Sequence, residues 1–334
     1  MKSKDKKSIF IYPQYPFGVK RNPYTDNLKN ALSAYFDTKE YIGIDKYPRC
    51  LQLLFASIHA DIFVLNWLED ISNLRYGKIQ ALLSVFAIYI ICLRRRRIVW
   101  MFHNIHPHGG ENWWSQYIQT LLFRYSYVII AHSREASLFA QKKAVCPVYY
   151  KPHPIEMVKY ELWEGDSREC DFFIWGSILP YKGIEEFISN PLCKEKRFKI
   201  LIIGKCIDKV LKDKILEHCS DNIIFEDRRA DYSELSAQCK KAKCVLFPYI
   251  GDSISSSGVL IDTLLMGGIP IGPNRGAFAD LRNVGCCFTY NTIEEVFNLN
   301  LDDIQISPKA KDQFVDENTW SKYAAWMFSL LSSK

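Results

Sequence analysis

The sequence has no apolar run long enough to cross a bilayer. Its longest apolar-rich stretch, 79–93, holds about fifteen residues, whereas a membrane-spanning helix needs roughly 20. The basic first residues lead into one short strand pattern and a proline-rich loop, without an apolar signal core. We therefore expect no secretory signal, and we interpret 79–93 as a buried helix.

The sequence also lacks the cysteine spacing that is typical of a metal site. Its eleven cysteines show no regular spacing, and without a secretory signal they favour a reducing compartment and buried or incidental thiols. Short-period repeats and low-complexity segments are absent. A hydrophobic content of 48% indicates a folded globular chain, and 334 residues are enough for two domains.

Four consecutive arginines, 94–97, follow the apolar stretch, in a chain with a net charge of +6. They could simply complement the C-terminus of a helix. They could also attract anionic lipid head groups, and we favour this association with an anionic membrane surface. We expect no nucleic-acid partner.

Strand-like and helix-like segments alternate along the chain, which predicts parallel sheets with crossover helices. In the first half, strands are expected at 8–12, 61–65, 98–102, 127–131 and 148–150. After a charged, proline-containing linker, strands are expected at 171–175, 199–204, 222–225, 244–247, 269–271 and 287–289. A last helix, 319–331, follows what reads as an irregular polar stretch.

This alternation predicts an α/β protein with two doubly wound, Rossmann-like domains that face a central cleft. We place the domains at 1–155 and 156–315, with a terminal helix in 316–334 that packs back toward the N-terminal domain. In open α/β sheets, ligands bind beyond the carboxyl ends of the strands. The loops that follow strands are therefore the candidates for function.

A serine-glycine turn follows the predicted strand 244–247. Ser256 and Ser257 can cap a helix that begins at Gly258, and the first backbone N–H groups of a helix have no partner within it. Such a helix start can bind an anion, and a carboxylate, Asp262, follows one turn later. The pattern fits a nucleotide-sugar pocket, and it fits an ordinary serine-capped helix about equally well.

A second loop follows the predicted strand 171–175 and runs from Gly176 through Ser177 to Lys182. Lys182 stands at or just before a predicted helix N-terminus, where the helix dipole favours anions over cations. A bound diphosphate would remove this conflict. The alternative is a lysine that is merely solvated.

Three of the seven histidines fall within six residues, in the loop after the predicted strand 98–102. Their spacing is not the i, i+4 pair of a metal-binding helix. We interpret His103, Asn104 and His108 as hydrogen-bonding groups at a sugar. The alternatives are a loop fixed by its own hydrogen bonds and a metal site.

The first loop, residues 13–23, precedes a predicted helix and lies at the same expected cleft. It contains Gly18, Lys20 and Arg21. Positive charge at this place suits an acceptor that carries phosphate or acidic sugars, although most such charges are only solvated.

Four motifs occur in a recognisable order: Asn22-Pro-Tyr24, His103-Asn-x-x-Pro-His108, Gly176 with Pro180-Tyr-Lys-Gly183, and Pro248-Tyr249 followed by Ser257-Gly-Val-Leu260. Together they cover nearly the whole chain and resemble bacterial glycosyltransferases of the GT-B fold, specifically the large family 4 group. The resemblance implies transfer of a sugar from a nucleoside diphosphate to an acceptor hydroxyl. It also implies retention at the anomeric carbon and no metal or other cofactor.

The resemblance assigns roles to individual positions. Lys182 would grip the diphosphate, Asp262 would replace a ribose-binding glutamate, and His103 would lie near the reacting carbon; these three are the predicted catalytic residues. The C-terminal domain would bind the donor with Lys182, Asp262, Gly176, Ser177, Ser256, Ser257, Gly258 and Val259. The N-terminal domain would bind the acceptor with Gly18, Lys20, Arg21, Asn104 and His108.

The sequence departs from the family pattern at two places. An arginine is common directly after the motif glycine, where this chain has Ser177, and a pair of glutamates eight residues apart is replaced by Ile254 and Asp262. The first change removes a cation and the second a contact to the donor sugar. Candidate replacements are Asp252 or the serines for the sugar contact, and Arg275, or Arg228 and Arg229, for the cation.

The leading interpretation is a hexosyltransferase that builds surface polysaccharide. It would be a cytoplasmic protein, peripheral at the inner face of the plasma membrane, with a lipid-linked or oligosaccharide acceptor. Two alternatives stay open: a nucleotide-sugar epimerase of the same fold, and an inactive relative that binds a glycan or a partner. An inverting enzyme would need a base, for which His103 or His108 could serve.

Overall fold

A computed structural model describes residues 6–15, 23–39, 48–106, 110–156, 168–196, 198–251 and 257–332. The chain divides into two compact units. Unit 1 combines Met1–Glu156 with Thr319–Lys334, and unit 2 is Met157–Asn318.

The described part of unit 1 is built on a parallel sheet of six strands. The strands are Ser8–Tyr12, Asp37–Thr38, Ile62–Asn66, Arg97–Phe102, Val128–Ala131 and Val148–Tyr150, numbered β1 to β6. They lie in the order β2-β1-β3-β4-β5-β6. The strand order reverses between β1 and β3, so this pair marks the switch point of the sheet.

Helices cover both faces of this sheet, which explains why every residue of β1 and β3 is buried. The helices α1 to α5 are Tyr24–Leu32, Arg49–His59, Gly77–Leu93, Trp113–Tyr125 and Arg134–Gln141, and a 3-10 helix spans Leu68–Asn73. Phe10 and Tyr12 point into the core beneath α2, α3 and α4. Ile9 and Ile11 point into a second core on the opposite face, against α1.

The described part of unit 2 repeats this plan with a second six-stranded parallel sheet. The strands β7 to β12 are Cys170–Trp175, Ile200–Ile203, Ile223–Glu226, Ala242–Leu246, Pro270–Pro273 and Phe288–Tyr290. Their order is β12-β11-β10-β7-β8-β9, which puts the switch point between β7 and β10. The helices α6 to α13 are Ile184–Ser189, Pro191–Lys196, Lys209–Glu217, Tyr232–Lys241, Gly258–Leu265, Gly276–Asn283, Ile293–Val296 and Pro308–Glu317, with 3-10 helices at Pro180–Lys182 and Leu301–Asp303.

The final helix, α14, spans Trp320–Ser332 and belongs to unit 1. Its buried Trp320 and Tyr323 join the core that contains Tyr24 of α1, and the Trp320 and Tyr24 rings meet edge to face at 5.2 Å. Burial of these large rings is the force that holds the end of the chain on unit 1.

The observed architecture confirms the predicted α/β class with two doubly wound domains. The expectation of an irregular polar stretch before the last helix is wrong, because α13 occupies it. Ser307 caps this helix by accepting a hydrogen bond from the Ala310 N–H, and Pro308 takes its first position. The central cleft expected between the domains stays a prediction.

Candidate functional site

The switch point of unit 2 is flanked by the two loops that the sequence singled out. One follows β7 and contains Gly176 and the 3-10 helix Pro180–Lys182; the other follows β10 and leads to α10. The loops are joined by a hydrogen bond of 2.9 Å from the Ile250 N–H to the Tyr181 carbonyl. Ligands of open α/β sheets bind at such a switch point, so this is the place where a ligand is expected.

Lys182 is buried in the first of these loops, with 4% of its surface exposed. Its Nζ atom lies 5.7 Å from the centre of the Tyr249 ring, close enough for a cation–π contact. Burial lowers the pKa of Lys182 to about 8. The alternative of a merely solvated lysine is therefore wrong.

No carboxylate in the described part of the chain pairs with the Lys182 ammonium group. A buried cation without an anion is costly, because its desolvation is not offset by an ion pair. Proteins retain such groups where a ligand supplies the opposite charge. Lys182 is thus placed to receive an anion.

The N-terminus of α10 lies next to this lysine. A Cβ atom added to Gly176 would be 3.1 Å from Lys182 Nζ and 3.3 Å from Val259 Cγ2, so the three residues share one small volume. Ser257 caps the helix by accepting from the Leu260 N–H. Among the described residues, the N–H groups of Gly258 and Val259 have no acceptor, as is usual in a first helical turn.

Asp262 lies one turn further along α10 and is half-buried. Desolvation raises its pKa to about 7, and a hydrogen bond of 3.4 Å from the Tyr232 hydroxyl partly opposes this shift. Its carboxylate can accept hydrogen bonds from a diol such as a ribose. Of the predicted donor-site residues, Ser177 is exposed, and Ser256 lies outside the described residues, as do Asp252 and Ile254.

The structure distinguishes between the candidate residues for the replacement cation. Arg275 donates from Nη2 to the Tyr249 carbonyl at 3.3 Å, so it shares Tyr249 with Lys182. Arg228 instead forms ion pairs with Glu226 and Glu234 on an exposed surface. Arg275 is therefore the better candidate for a second positive charge. Its position two residues after β11 was the signal that could have placed it among the predicted site residues.

In unit 1, His103 follows β4 and is fixed by a chain of hydrogen bonds. Asn66 donates from Nδ2 to the Tyr12 carbonyl at 2.8 Å, which leaves its Oδ1 to accept from His103 Nε2 at 2.9 Å. The Trp67 ring stacks on the imidazole at 4.3 Å. His103 and Asn104 are each 4% exposed, whereas Gly18, Lys20, Arg21 and His108 lie outside the described residues.

The sequence did not reveal a second histidine at this edge, His132, which directly follows β5. Its Nδ1 donates to the Lys151 carbonyl at 2.8 Å, so Nε2 accepts from the Tyr24 hydroxyl at 2.7 Å. Burial, assisted by His153, lowers the pKa of His132 to about 3 and keeps the ring neutral. The signal was its place at a strand end, the same as that of His103.

We predict that Tyr24→Phe destabilises the protein by about 1–2 kcal/mol, because it leaves the buried His132 Nε2 without a donor. The matched change Tyr89→Phe removes a hydroxyl from an exposed pair with Tyr117 and should cost less than about 0.5 kcal/mol. Urea unfolding measures both. Equal losses in the two variants would contradict the assigned hydrogen bond.

Histidine and acidic side chains do not form a metal site in the described ranges, where no group of three or more potential ligands is close enough to hold an ion. His106 instead contacts Glu111, with 2.5 Å between Nδ1 and Oε1. The metal-free chemistry implied by the family resemblance stays a prediction.

No protein-family model matches the sequence, and a comparison with curated proteins gives no match. Solved structures do match over nearly the whole chain. HepE from Anabaena, solved with UDP and glucose, is 15% identical with a TM-score of 0.60, over 97% of this chain and 95% of its own. AviGT4, a glycosyltransferase of avilamycin A biosynthesis, is 12% identical with a TM-score of 0.62, over 98% of each chain.

The catalytic domain of starch synthase IV from Arabidopsis thaliana, solved with ADP and acarbose, is 11% identical with a TM-score of 0.57, over 97% of this chain and 98% of its own. At these identities the likeness concerns the fold. The protein therefore has the two-domain GT-B fold of glycosyltransferases. The finer resemblance to family 4 stays a prediction.

Proposed function

We propose that the protein is a glycosyltransferase that moves a hexose from a nucleoside diphosphate sugar to a glycan acceptor. The observation that carries this proposal is the buried Lys182 beside the open first turn of α10, without a carboxylate partner in the described part of the chain. A cation and free N–H groups that converge on one small volume suit a diphosphate. HepE, which shares the fold, was solved with UDP and glucose.

In this proposal the donor binds to unit 2. Lys182 and Arg275 neutralise the diphosphate, and the N–H groups of Gly258 and Val259 donate to its oxygens. Asp262 accepts hydrogen bonds from the ribose. These protein groups neutralise the diphosphate in place of a metal ion, so the proposed enzyme is metal-independent and needs no cofactor.

The reaction breaks the bond between the anomeric carbon and the diphosphate oxygen. The acceptor hydroxyl oxygen forms the new bond to that carbon, and its proton passes to the departing diphosphate. The barrier lies in building negative charge on the leaving group, which preorganised cations and N–H groups stabilise by several kcal/mol. Because the acceptor hydroxyl attacks on the face from which the diphosphate departs, the configuration is retained.

We place the acceptor on unit 1, at the edge that carries His103 and Asn104. The hydrogen bond between His103 Nε2 and Asn66 Oδ1 fixes the orientation of the His103 ring. The first loop, with Lys20 and Arg21, supplies positive charge in this proposal. The acceptor is a lipid-linked or oligosaccharide glycan of surface polysaccharide, handled at the inner face of the plasma membrane by a peripheral protein.

A panel of nucleotide sugars tests this function. Thermal shifts with UDP, GDP, ADP and CMP identify the base, because a ligand that binds the folded state raises the apparent stability. Donor sugars with that base are then followed for release of the nucleotide, with water or added glycans as acceptors. Isomerised donor without release would indicate an epimerase, and binding without turnover an inactive relative; either result would contradict the proposal.

Nucleotide binding should weaken as the pH rises above 8. Because burial lowers the pKa of Lys182 to about 8, the free protein loses the positive charge above that pH, and affinity should fall roughly tenfold per pH unit. Lys182→Arg keeps its charge and should show a flat profile between pH 8 and 10. Calorimetric titration measures both, and identical profiles would contradict the role of Lys182.

A further inference from the structure

Helix α3, Gly77–Leu93, presents an apolar stripe to solvent. One side of the helix packs in the core through Ala81, Ile88 and Ile91, whereas the other exposes Ile79, Leu82, Phe86, Tyr89 and Leu93. These five side chains recur every three or four residues, so they lie along one face. Leu93 is 83% exposed and Phe86 58%, values that are unusual for such large apolar side chains.

The neighbouring helix α2 extends this surface. It packs against α3 over the same core, and both helices cover the same face of the sheet. Its outward positions Leu51, Phe55 and Ile58 are also exposed. We call the outward stripes of the two helices the α2–α3 face. An apolar surface on two adjacent helices is larger than single exposed side chains and is typical of a docking surface.

The charged side chains on the two helices themselves have one sign. Neither α2 nor α3 contains an aspartate or glutamate. Directly after α3, Arg94 and Arg95 are exposed and form no ion pair with the described residues. Arg96 is different, because it pairs with Asp61 at 2.6 Å between Nη1 and Oδ1.

Arg97 is also engaged within unit 1. It donates to the Leu331 carbonyl of α14 at 2.5 Å, and its guanidinium lies 4.4 Å from the centre of the Tyr127 ring. The four consecutive arginines therefore do not act alike: Arg96 and Arg97 hold the fold together, and Arg94 and Arg95 remain for an external partner.

Within the described ranges, none of the helices has the length and apolar character that a membrane span requires. We infer that the α2–α3 face lies on the surface of an anionic lipid bilayer, with its apolar side chains among the outer acyl chains and Arg94 and Arg95 at the head groups. A helix of 17 residues is about 25 Å long, enough to rest in the plane of the interface. The absence of acidic residues on both helices favours anionic lipid over a protein partner, whose docking surfaces usually match charges of both signs.

This inference rests on the membrane location in the proposed function and adds the surface that makes the contact. Vesicle binding tests it without a measurement of enzymatic turnover. The full-length protein is pelleted with vesicles of phosphatidylglycerol and phosphatidylcholine, and with phosphatidylcholine alone. We expect binding to the anionic vesicles that weakens with salt. Arg94→Gln with Arg95→Gln should weaken it roughly 30-fold. The control pair Arg282→Gln with Lys309→Gln removes the same charge from exposed positions in unit 2 and should change little.

A second pair of variants tests the apolar stripe. Leu93→Glu should reduce vesicle binding at least tenfold at every lipid composition. Ile207→Glu is its matched control, because Ile207 is also 83% exposed but lies in unit 2. Circular dichroism shows whether each variant is folded, and release of nucleotide from the donor should be unchanged in both.

Two results would overturn the inference. One is wild-type protein that binds anionic vesicles no better than neutral ones. The other is a dimer, seen by gel filtration, that Leu93→Glu dissociates while vesicle binding stays unchanged, since this would assign the α2–α3 face to a second copy of the chain. Neither result affects the donor test, so the two proposals fail separately.

Discussion

Lys182→Met is expected to lower the rate of nucleotide release from the donor sugar by roughly 10²- to 10³-fold, the range measured when one preorganised donor to a developing charge is removed. Methionine is unbranched like lysine and only one heavy atom shorter, so the loss chiefly reports the charge. Lys182 is nearly fully buried beside Gly176 and Val259. A diphosphate bound there would be deprived of its closest cation.

The same variant should be more stable than the wild type at pH 7. Burial depresses the pKa of Lys182 from 10.5 to about 8, so the charged lysine destabilises the folded state at every pH below 8. That penalty amounts to about 3 kcal/mol, and it fades as the pH rises from 8 to 10.5. Urea unfolding at pH 7 should show a gain of this order while activity falls.

A lysine kept for stability would behave in the opposite way, with lower stability and little change in turnover. Lys309→Met, at an exposed position in unit 2, is the control and should alter neither quantity. Unchanged turnover in folded Lys182→Met would contradict the proposed role in the donor site.

Gly183→Ala should be the most destabilising change at the site, at about 4 kcal/mol or more. Gly183 has a φ of +62°, and an added Cβ would stand 2.1 Å from the Pro248 carbonyl oxygen. Backbone must move to relieve a clash of that size, because the loop 248–250 is held to the Lys182 loop by the Ile250–Tyr181 hydrogen bond. Nucleotide affinity should therefore fall together with stability.

Gly251→Ala separates the clash from the backbone strain. Gly251 also has a positive φ, +82°, but an added Cβ would have no atom of the described residues within 4 Å. Its cost should be about 1 kcal/mol. Thermal and urea unfolding compare the two variants, and similar losses would show that the contact between the Lys182 loop and Pro248 does not hold the site together.

Most of the fold could be predicted from the sequence because each central strand is an apolar run bounded by turn residues. The strands Ser8–Tyr12 and Val148–Tyr150 were predicted with the observed limits, and the other predicted strands lie within a few residues of the observed ones. Elements with weaker patterns were missed. Asp37–Thr38 is only two residues long, and Pro308–Glu317 has one buried residue, Phe314, so its apolar periodicity is faint.

The candidate site was predicted in part, for a physical reason. Lys182 and the capped helix at Gly258 have local signatures. A lysine before a helix N-terminus conflicts with the helix dipole, and a serine at a helix start satisfies one of its first N–H groups. The burial of Lys182 and the contact of Arg275 with Tyr249 depend on which loops the sheet brings together, and no local pattern reports that. The hydrogen bond between Tyr24 and His132 joins residues that are 108 positions apart in the sequence, so no local pattern predicts it either.

Nucleotide binding at the serine-glycine turn and Lys182 is the most direct test of the proposed donor site. Calorimetric titrations with UDP, GDP, ADP and CDP, in EDTA to exclude metal ions, measure whether this place holds a diphosphate. We expect one of these nucleotides to bind the wild type with micromolar affinity and Lys182→Met to weaken this binding roughly 100-fold. Failure of all four to bind at millimolar concentration, or equal binding by the variant, would contradict the proposed donor site.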